Sequence, residues 1–321
     1  MNLSRVVRGL VVAAVASVVL SVALALLADA PATVEAMRLV PVPVLFWMLA
    51  FTTLGFGVRA LRWGWFMRIS GHPVSARDAL YLQLAGQAMG VTPGRVGELV
   101  KPWLSKEVAG MPMSAGVALL FTERVADLIG VCILSLVGLS ILGAGGLWLV
   151  IGLGLVVAAT AVVASPRFHR LSLRFLGRFK RAERLTASVG AAFSVMERSL
   201  SPKRLAAATP VSVLSWGAEG VGFVLCVEAL GFTGVSPAAL VSIYAASTII
   251  GAFTFLPGGI GLTEASLAGI LVATGMPAPD AAAVTIVARA ATLWWGVAVG
   301  WVALAARPSI LACLKEQRQE T

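Results

Sequence analysis

Long apolar stretches, separated by short polar segments, alternate along nearly the whole chain. Six of these stretches approach or exceed the roughly 20 helical residues needed to cross the hydrocarbon core of a bilayer. They fall at residues 9–28, 43–66, 114–142, 146–164, 205–230 and 280–306. The first is longer than the core of a typical secretory signal peptide, so we expect it to be retained. The pattern therefore predicts an all-α polytopic membrane protein with six spanning helices.

Two further apolar regions are each interrupted by proline and glycine. The four limbs are residues 79–92 and 96–109 around Pro93-Gly94, and residues 239–256 and 260–274 around Pro257-Gly258-Gly259. A limb of about 14 helical residues reaches only about 21 Å, which is short of the roughly 30 Å of a hydrocarbon core. Each region is therefore predicted to be a re-entrant helical hairpin. Its non-helical tip is tolerated only inside protein or beside a wet cavity.

The two broken regions repeat the same motif. The first reads Pro93-Gly94-Arg95-Val96-Gly97-Glu98, then Gly110-Met111-Pro112 and Arg124, and the second reads Pro257-Gly258-Gly259-Ile260-Gly261, then Glu264, Gly275-Met276-Pro277 and Arg289. Each copy combines a backbone break with a carboxylate and a later arginine. Duplicated broken segments are typical of transporters whose site lies at the repeat interface.

Basic residues collect in alternate loops, which fixes the predicted orientation. They are concentrated near the N-terminus, between residues 62 and 106, in the segment 167–204 and in the tail 307–321. The positive-inside rule places these regions, and both termini, in the cytoplasm. The two hairpins then enter from opposite sides. Residues 1–142 and 143–306 are thus predicted to form an inverted-topology repeat within a single transmembrane domain.

The segment 167–204 has its own pattern within the second repeat. Between residues 167 and 200, apolar residues recur every three or four positions among many arginines. This periodicity predicts an amphipathic helix, in one piece or two, on the cytoplasmic leaflet. It also serves as a soluble connector between the two halves.

Composition narrows the classes of function. The chain is 59% hydrophobic and 12% charged, about half the charged fraction of a soluble domain. We attribute the net charge of +10 to topology and lipid attraction, so no nucleic-acid partner is expected. The three cysteines lack metal-binding spacing, and neither a disulfide, a metal nor a cofactor is predicted.

Charged residues at membrane depth are the candidate substrate-binding residues, because such groups normally face a bundle interior or a cavity. They are Arg95, Glu98, Lys101, Glu123, Arg124, Asp127, Glu264 and Arg289. The candidate backbone residues of the hairpins are Pro93, Gly94, Gly97, Pro257, Gly258, Gly259 and Gly261. Half-helices that begin at such breaks favour an anion, and the arginines can bind phosphate oxygens.

A purely structural role is the alternative. Glu98 with Arg124, and Glu264 with Arg289, would then form ion pairs that fix each hairpin to the following helix, and Arg124 would pair with Asp127 three residues later. Three other polar or aromatic side chains have explanations that do not involve a substrate. Arg59 and Arg62 lie close enough to a helix end to extend to the interface. Trp63 is predicted to be an interfacial anchor or a packing residue.

These motifs, in this order, resemble one known family. Residues 93–98, Thr122-Glu123-Arg124 and residues 256–264 resemble the lysylphosphatidylglycerol synthase transmembrane, or flippase-like, family of bacteria and archaea. The resemblance covers essentially the whole chain. It implies that Glu98, Arg124, Glu264 and Arg289 lie along a translocation path, and that Lys101 stands where many relatives have arginine. The 321 residues contain no synthase domain, so lipid aminoacylation is not expected.

The predicted function is therefore a lipid flippase, not an enzyme, in the bacterial or archaeal cytoplasmic membrane. It would move a phosphate-headgroup lipid or a lipid-linked sugar between leaflets, with membrane lipids as partners and homo-oligomerisation left open. The sequence has no GxxxxGK[ST] motif for ATP hydrolysis. Two alternatives remain open: a secondary carrier for a small soluble anion, and a membrane-embedded lipid-modifying enzyme.

Overall fold

The computed structural model describes residues 3–92, 97–137, 165–176, 183–252 and 257–308, together with the isolated positions 154, 158 and 162. These residues form helices joined by short turns, and no strand occurs among them. The first half contains α1 (Leu3–Ala28), α2 (Ala30–Leu39), α3 (Val42–Ile69), α4 (Ala76–Gln87), α5 (Val100–Ala109) and α6 (Met113–Val137). The all-helical membrane class predicted from the sequence is confirmed.

The second half begins, in the described part of the chain, with two helices rich in charge. The helices are α7 (Pro166–Leu176), α8 (Glu183–Ser199), α9 (Pro202–Ala229), α10 (Pro237–Ala252), α11 (Leu262–Ala273), α12 (Ala278–Arg289) and α13 (Trp295–Ala305). A π-helical segment, Ala290–Trp294, joins α12 to α13. Apart from positions 154, 158 and 162, the predicted span 146–164 lies outside the described residues, and so does the tail beyond residue 308.

Three helical stretches in the described residues are long and apolar enough to cross a membrane. They are α3, α9 and the continuous stretch Ala278–Ala305, each of 28 residues. Ala14–Ala28 and α2 would make a fourth span, although they are bent by 106° relative to each other. The three 28-residue stretches coincide with predicted spans, and Ala14–Ala28 lies within the predicted span 9–28, whereas α2 lies outside the predicted spans. The total of six spans, and the inversion of the two halves, remain predictions.

Short helices flank both sequence breaks. The limbs α4, α5, α10 and α11 contain 12, 10, 16 and 12 residues. The tip residues 93–96 and 253–256, which include Pro93, Gly94 and Arg95, lie outside the described residues. At the second break Gly258, Gly259 and Gly261 have φ angles of 59°, 68° and 100°, which residues with a Cβ rarely adopt. The glycines are thus explained by backbone geometry, and the re-entrant course of the limbs remains a prediction.

The two halves interlock through their broken regions. The limb α4 packs against α13 of the second half, and the limb α10 packs against α6 of the first half. At the centre, α3 and α9 pack along each other. A Cβ atom added at Gly130 of α6 would lie 2.6 Å from the Cβ of Ser212 on α9. Small residues at such crossings allow membrane helices to approach closely.

The amphipathic segment divides into two helices with different environments. In α8, Val195 and Met196 are buried in the main apolar core, and the hydroxyl of Ser199 lies 2.8 Å from that of Thr122 on α6. In α7, the buried ring of His169 stacks on Phe193 of α8 at 4.2 Å between centroids. One face of α8 is therefore packed in the core, whereas most described side chains of α7 are exposed or half-buried.

Candidate functional site

A cavity of about 650 Å³ lies between the two halves. Helices α3, α4, α6 and α9 to α13 contribute residues to its wall, together with the turn Pro257–Gly259. The charged side chains that line it among the described residues are Arg59, Glu98, Arg124, Asp127, Glu219 and Arg289. Three arginines and three carboxylates thus share one cavity whose remaining wall is largely apolar. Such a mixture is common in ligand sites, where a few polar groups orient the ligand.

In the second half, Glu264 joins the backbone break to Arg289. One carboxylate oxygen accepts from Nε of Arg289 at 2.6 Å, and the other accepts from the N–H of Gly261 at 2.7 Å. Arg289 also donates to the carbonyl oxygen of Gly258 at 2.7 Å. The ion pair predicted from the sequence is present. It holds the turn, the start of α11 and the end of α12 together.

The π-helical segment begins at the residue after Arg289. Such segments interrupt the regular helical hydrogen bonds and are frequent at functional sites. Thr292 and Leu293, which belong to this segment, line the cavity. The irregular turn therefore places residues on the cavity wall directly after the arginine.

In the first half, Arg124 is held more loosely than Arg289. Its guanidinium lies 3.7 Å from Glu98, 3.4 Å from Asp127 and 3.8 Å from Glu123. Its side chain is 35% exposed, compared with 14% for Arg289. Both pairs predicted for Arg124, with Glu98 and with Asp127, are present. However, these distances are longer than the 2.6 Å between Arg289 and Glu264.

Behind this arginine lies a buried network centred on Arg62. The guanidinium of Arg62 lies 3.1 Å from Glu123 and 2.8 Å from Asp127, and it contacts the hydroxyl of Ser212. The side chains of Arg62 and Glu123 are 0% exposed. The prediction that Arg62 extends to the interface is therefore wrong. Two carboxylates inside the bundle compensate its charge, so it has no need to reach water.

Lys101 belongs to the same buried network. Its ammonium lies 2.7 Å from Glu123 and 2.6 Å from the side-chain oxygen of Gln83, and it sits 3.9 Å from the ring centroid of Trp63. Trp63 is fully buried, so of its two predicted roles it takes the packing role. Lys101 and Glu123 were predicted to bind substrate, yet neither lines the cavity. They lie behind its wall and support Arg124 and Asp127.

A third charged group also lines the cavity. Arg59 donates to Glu219 at 2.7 Å, and the hydroxyl of Tyr244 donates to the other oxygen of Glu219 at 2.8 Å. The guanidinium carbon of Arg59 lies 4.4 Å from the ring centroid of Trp216. All four residues line the cavity. Arg59 was predicted to reach the interface, which is wrong, because the residue is only 6% exposed.

Sequence reasoning therefore identified one part of the site and missed another. Glu98, Arg124, Asp127, Arg289, Gly258 and Gly259 are on the cavity wall as described above, while Glu264 and Gly261 support it. Arg59, Trp216 and Tyr244 were missed. One signal was available for Arg59: Glu219 lies inside a predicted span, and a carboxylate at that depth requires a cationic partner. No comparable signal marks Tyr244 or Trp216.

Together, the helical fold and the charged cavity define a multi-pass membrane protein with a polar site between its helices. The family model of the lysylphosphatidylglycerol synthase TM region matches residues 10–300. The chain belongs to this family, and the resemblance drawn from its motifs is confirmed.

Two archaeal relatives agree with this assignment. The chain is 27% identical over 264 residues to a UPF0104 membrane protein of Methanothermobacter thermautotrophicus, an alignment that covers 76% of this chain and 77% of the relative. A second UPF0104 membrane protein of the same organism is 25% identical over 272 residues, covering 76% and 79%. Both names describe a membrane protein and state no activity.

Proposed function

We propose that the protein is a lipid translocase that moves a phosphate-headgroup lipid, or a lipid-linked sugar, between the leaflets of the cytoplasmic membrane. The observation that carries this proposal is the cavity between the two halves, in which Arg59, Arg124 and Arg289 face three carboxylates. Membership of a family of membrane proteins supports the location in a membrane. In this proposal the halves 1–142 and 143–306 form the inverted repeat, and both termini are cytoplasmic.

Arg124 is the first candidate for contact with the headgroup. Its side chain is the more exposed of the two motif arginines, and its ion pairs of 3.4 to 3.8 Å are longer than an optimal charge-assisted hydrogen bond. A phosphate can therefore replace part of these contacts with shorter, bidentate ones. Arg289, Glu264 and the turn at Gly258 form a tighter group that fixes the opposite wall.

The apolar part of the wall favours a lipid over a soluble anion. Val117 and Phe121, one turn apart on α6, line the cavity and are each 38% exposed. In this proposal they lie where the acyl chains of the lipid pass. A headgroup held at Arg124 thus has an apolar route beside it, along which the tail can remain in the bilayer.

The test is translocation of a fluorescent phospholipid in proteoliposomes, combined with mass spectrometry of the lipids that copurify. The protein with Arg124→Ala and Arg289→Ala is compared with wild type. Arg38→Ala is the matched control, because Arg38 is highly exposed and, among the described residues, forms an ion pair only with the exposed Glu35. We expect the double variant to lose translocation and the enriched phosphate lipid while retaining its fold. Full activity in a folded double variant would contradict the proposal.

Experiments on the same proteoliposomes distinguish two alternative functions from lipid translocation. A secondary carrier for a small soluble anion would show uptake of that anion into proteoliposomes, dependent on the same arginines, with only bulk lipid copurifying. A membrane-embedded lipid-modifying enzyme would yield a lipid product of changed mass. Either result would replace the translocase proposal.

A further inference from the structure

The short helix α7 presents a basic surface. Three of its arginines, Arg167, Arg170 and Arg174, are exposed. They recur at spacings of three and four residues, which places them along one side of the helix. The helix contains no acidic residue. Arg167 and Arg174 therefore have no countercharge supplied by α7 itself.

Exposed apolar side chains run beside these arginines. Leu171 is 68% exposed, Phe175 is 58% exposed, and Phe168 is 36% exposed. Their spacing of three and four residues forms a stripe next to the line of arginines. A water-exposed helix would not normally keep such large apolar groups together. Their arrangement is typical of a helix that lies in a membrane interface.

The opposite face of α7 is attached to the rest of the protein. His169 is buried and stacks on Phe193 of α8 at an interplanar angle of 11°, and α8 in turn packs against α6. This attachment fixes the direction in which the basic and apolar face points. The helix α7 has 11 residues, about 16 Å of helix, which is too short to cross a bilayer.

We propose that the outward face of α7 is a binding surface for anionic lipid headgroups, with Leu171 and Phe175 inserted among the acyl chains. Charge complementarity selects this occupant. The segment 138–164 of the same chain has no ionisable residue, so it offers no countercharge. A second copy would place arginines against arginines. An anionic leaflet supplies both the negative charge and an apolar layer. The surface is separate from the cavity, and the proposal does not depend on the transported substrate.

The experiment uses the full chain in nanodiscs of phosphatidylcholine, with or without phosphatidylglycerol. A fluorescent probe is attached at Leu171→Cys in a protein whose three native cysteines are replaced, and its quenching by nitroxide-labelled lipids is measured. Leu39→Cys, at the end of α2, provides the matched control because Leu39 is also highly exposed. The same comparison is made after Arg167→Gln with Arg174→Gln, and at high salt.

We expect quenching at position 171 to be stronger with phosphatidylglycerol, and to fall at high salt and in the arginine variant. Quenching at position 39 should not depend on the lipid charge. Each arginine near an anionic surface changes local binding by about fivefold. Equal quenching in both lipid mixtures, or none in either, would overturn the proposal. A fluorescence change at position 171 that depends on protein concentration, without quenching by the nitroxide-labelled lipids, would assign the face to a second copy. That result would also overturn the proposal.

Hydrogen exchange of residues 166–176 in the unlabelled protein gives an independent readout. We expect slower exchange in nanodiscs with phosphatidylglycerol, and no such change for α2. This measurement requires no substitution, so a labelled variant that fails to fold does not prevent the test. Exchange that is identical in the two lipid mixtures would count against binding.

Discussion

The carboxylate of Glu264 lies 2.6 Å from the guanidinium of Arg289, 25 residues later in the chain. The corresponding pair in the first half, Glu98 and Arg124, is separated by 3.7 Å. The two copies of the motif therefore form the same ion pair with unequal strength. A buried, short pair fixes the wall of the second half, whereas the first half keeps an arginine that several carboxylates share.

This asymmetry predicts unequal losses of stability when each carboxylate is neutralised. Glu264→Gln would leave Arg289 buried without its counter-ion, which typically costs about 3 kcal/mol or more. In Glu98→Gln, loss of the pair with Arg124 would cost about 1 kcal/mol or less, because that pair is long and partly exposed. Thermal unfolding of the two variants in the same detergent checks the order. Equal losses would show that the two pairs have the same strength.

The hydroxyl of Tyr244 contributes to stability through Glu219, and the chain provides a natural control. Its two tyrosines are Tyr81 and Tyr244. Tyr244 donates to a carboxylate at 2.8 Å, whereas the buried hydroxyl of Tyr81 has no hydrogen-bond partner among the described residues. Tyr244→Phe should lower the free energy of unfolding by about 2 kcal/mol. Tyr81→Phe should leave it unchanged or raise it slightly.

The two tyrosine variants are measured by denaturant or thermal unfolding, and then by lipid translocation. If Tyr244 helps to hold Arg59 and Glu219 at the cavity wall, Tyr244→Phe should also slow translocation. Tyr81, which is not among the residues lining the cavity, should not affect it. An equal effect of both variants on translocation would mean that Glu219 is not part of the path.

Lys101 is predicted to be a structural residue, in contrast to the role that its sequence motif suggested. Lys101→Met keeps most of the side-chain volume over Trp63 but removes a buried cation from Glu123, and should cost about 3 kcal/mol. Lys106→Met on the same helix is the control, since Lys106 is exposed. Denaturant or thermal unfolding of both variants measures the loss in the free energy of unfolding. Normal stability combined with lost translocation would instead place Lys101 in the binding site.

Local sequence features were sufficient to predict several parts of the molecule. The Pro-Gly-Gly run predicted the break between α10 and α11, because the φ angles at Gly258 and Gly259 suit only glycine-like backbones. The pairing of Glu264 with Arg289 followed from the repeated motif. Apolar length located α3 and α9. In each case the determining interaction is either local or repeated in sequence.

The parts that were missed depend on contacts between distant segments. Arg59 and Glu219 are 160 residues apart, and their partnership arises from the packing of α3 against α9. From the sequence, Arg59 and Arg62 are simply basic residues toward one end of an apolar span. Their burial depends on carboxylates supplied by α6 and α9, and hydrophobic periodicity contains no information about that pairing.

The ion pair between Asp78 and Arg307 predicts a dependence of stability on pH. Asp78 lies in the first turn of α4, outside the predicted spans, and accepts from the hydroxyl of Ser75 at 2.7 Å and from Arg307 at 2.6 Å. The hydrogen bond from Ser75, followed by that from Arg307, lowers the pKa of Asp78. The stabilisation is therefore present above the pKa of the unfolded chain, about 4. It is lost as the pH falls through the lower folded pKa.

Comparison with Asp78→Asn isolates this contribution. Near neutral pH, wild type should be more stable by about 1 kcal/mol or less, because both side chains are more than a quarter exposed. Below about pH 4 the difference should shrink toward zero, since Asp78 in the wild type then becomes protonated. Thermal unfolding of both proteins across this range provides the measurement. A stability difference between the two proteins that stays the same at acidic pH would show that the charge of the carboxylate does not hold α4 to the end of α13.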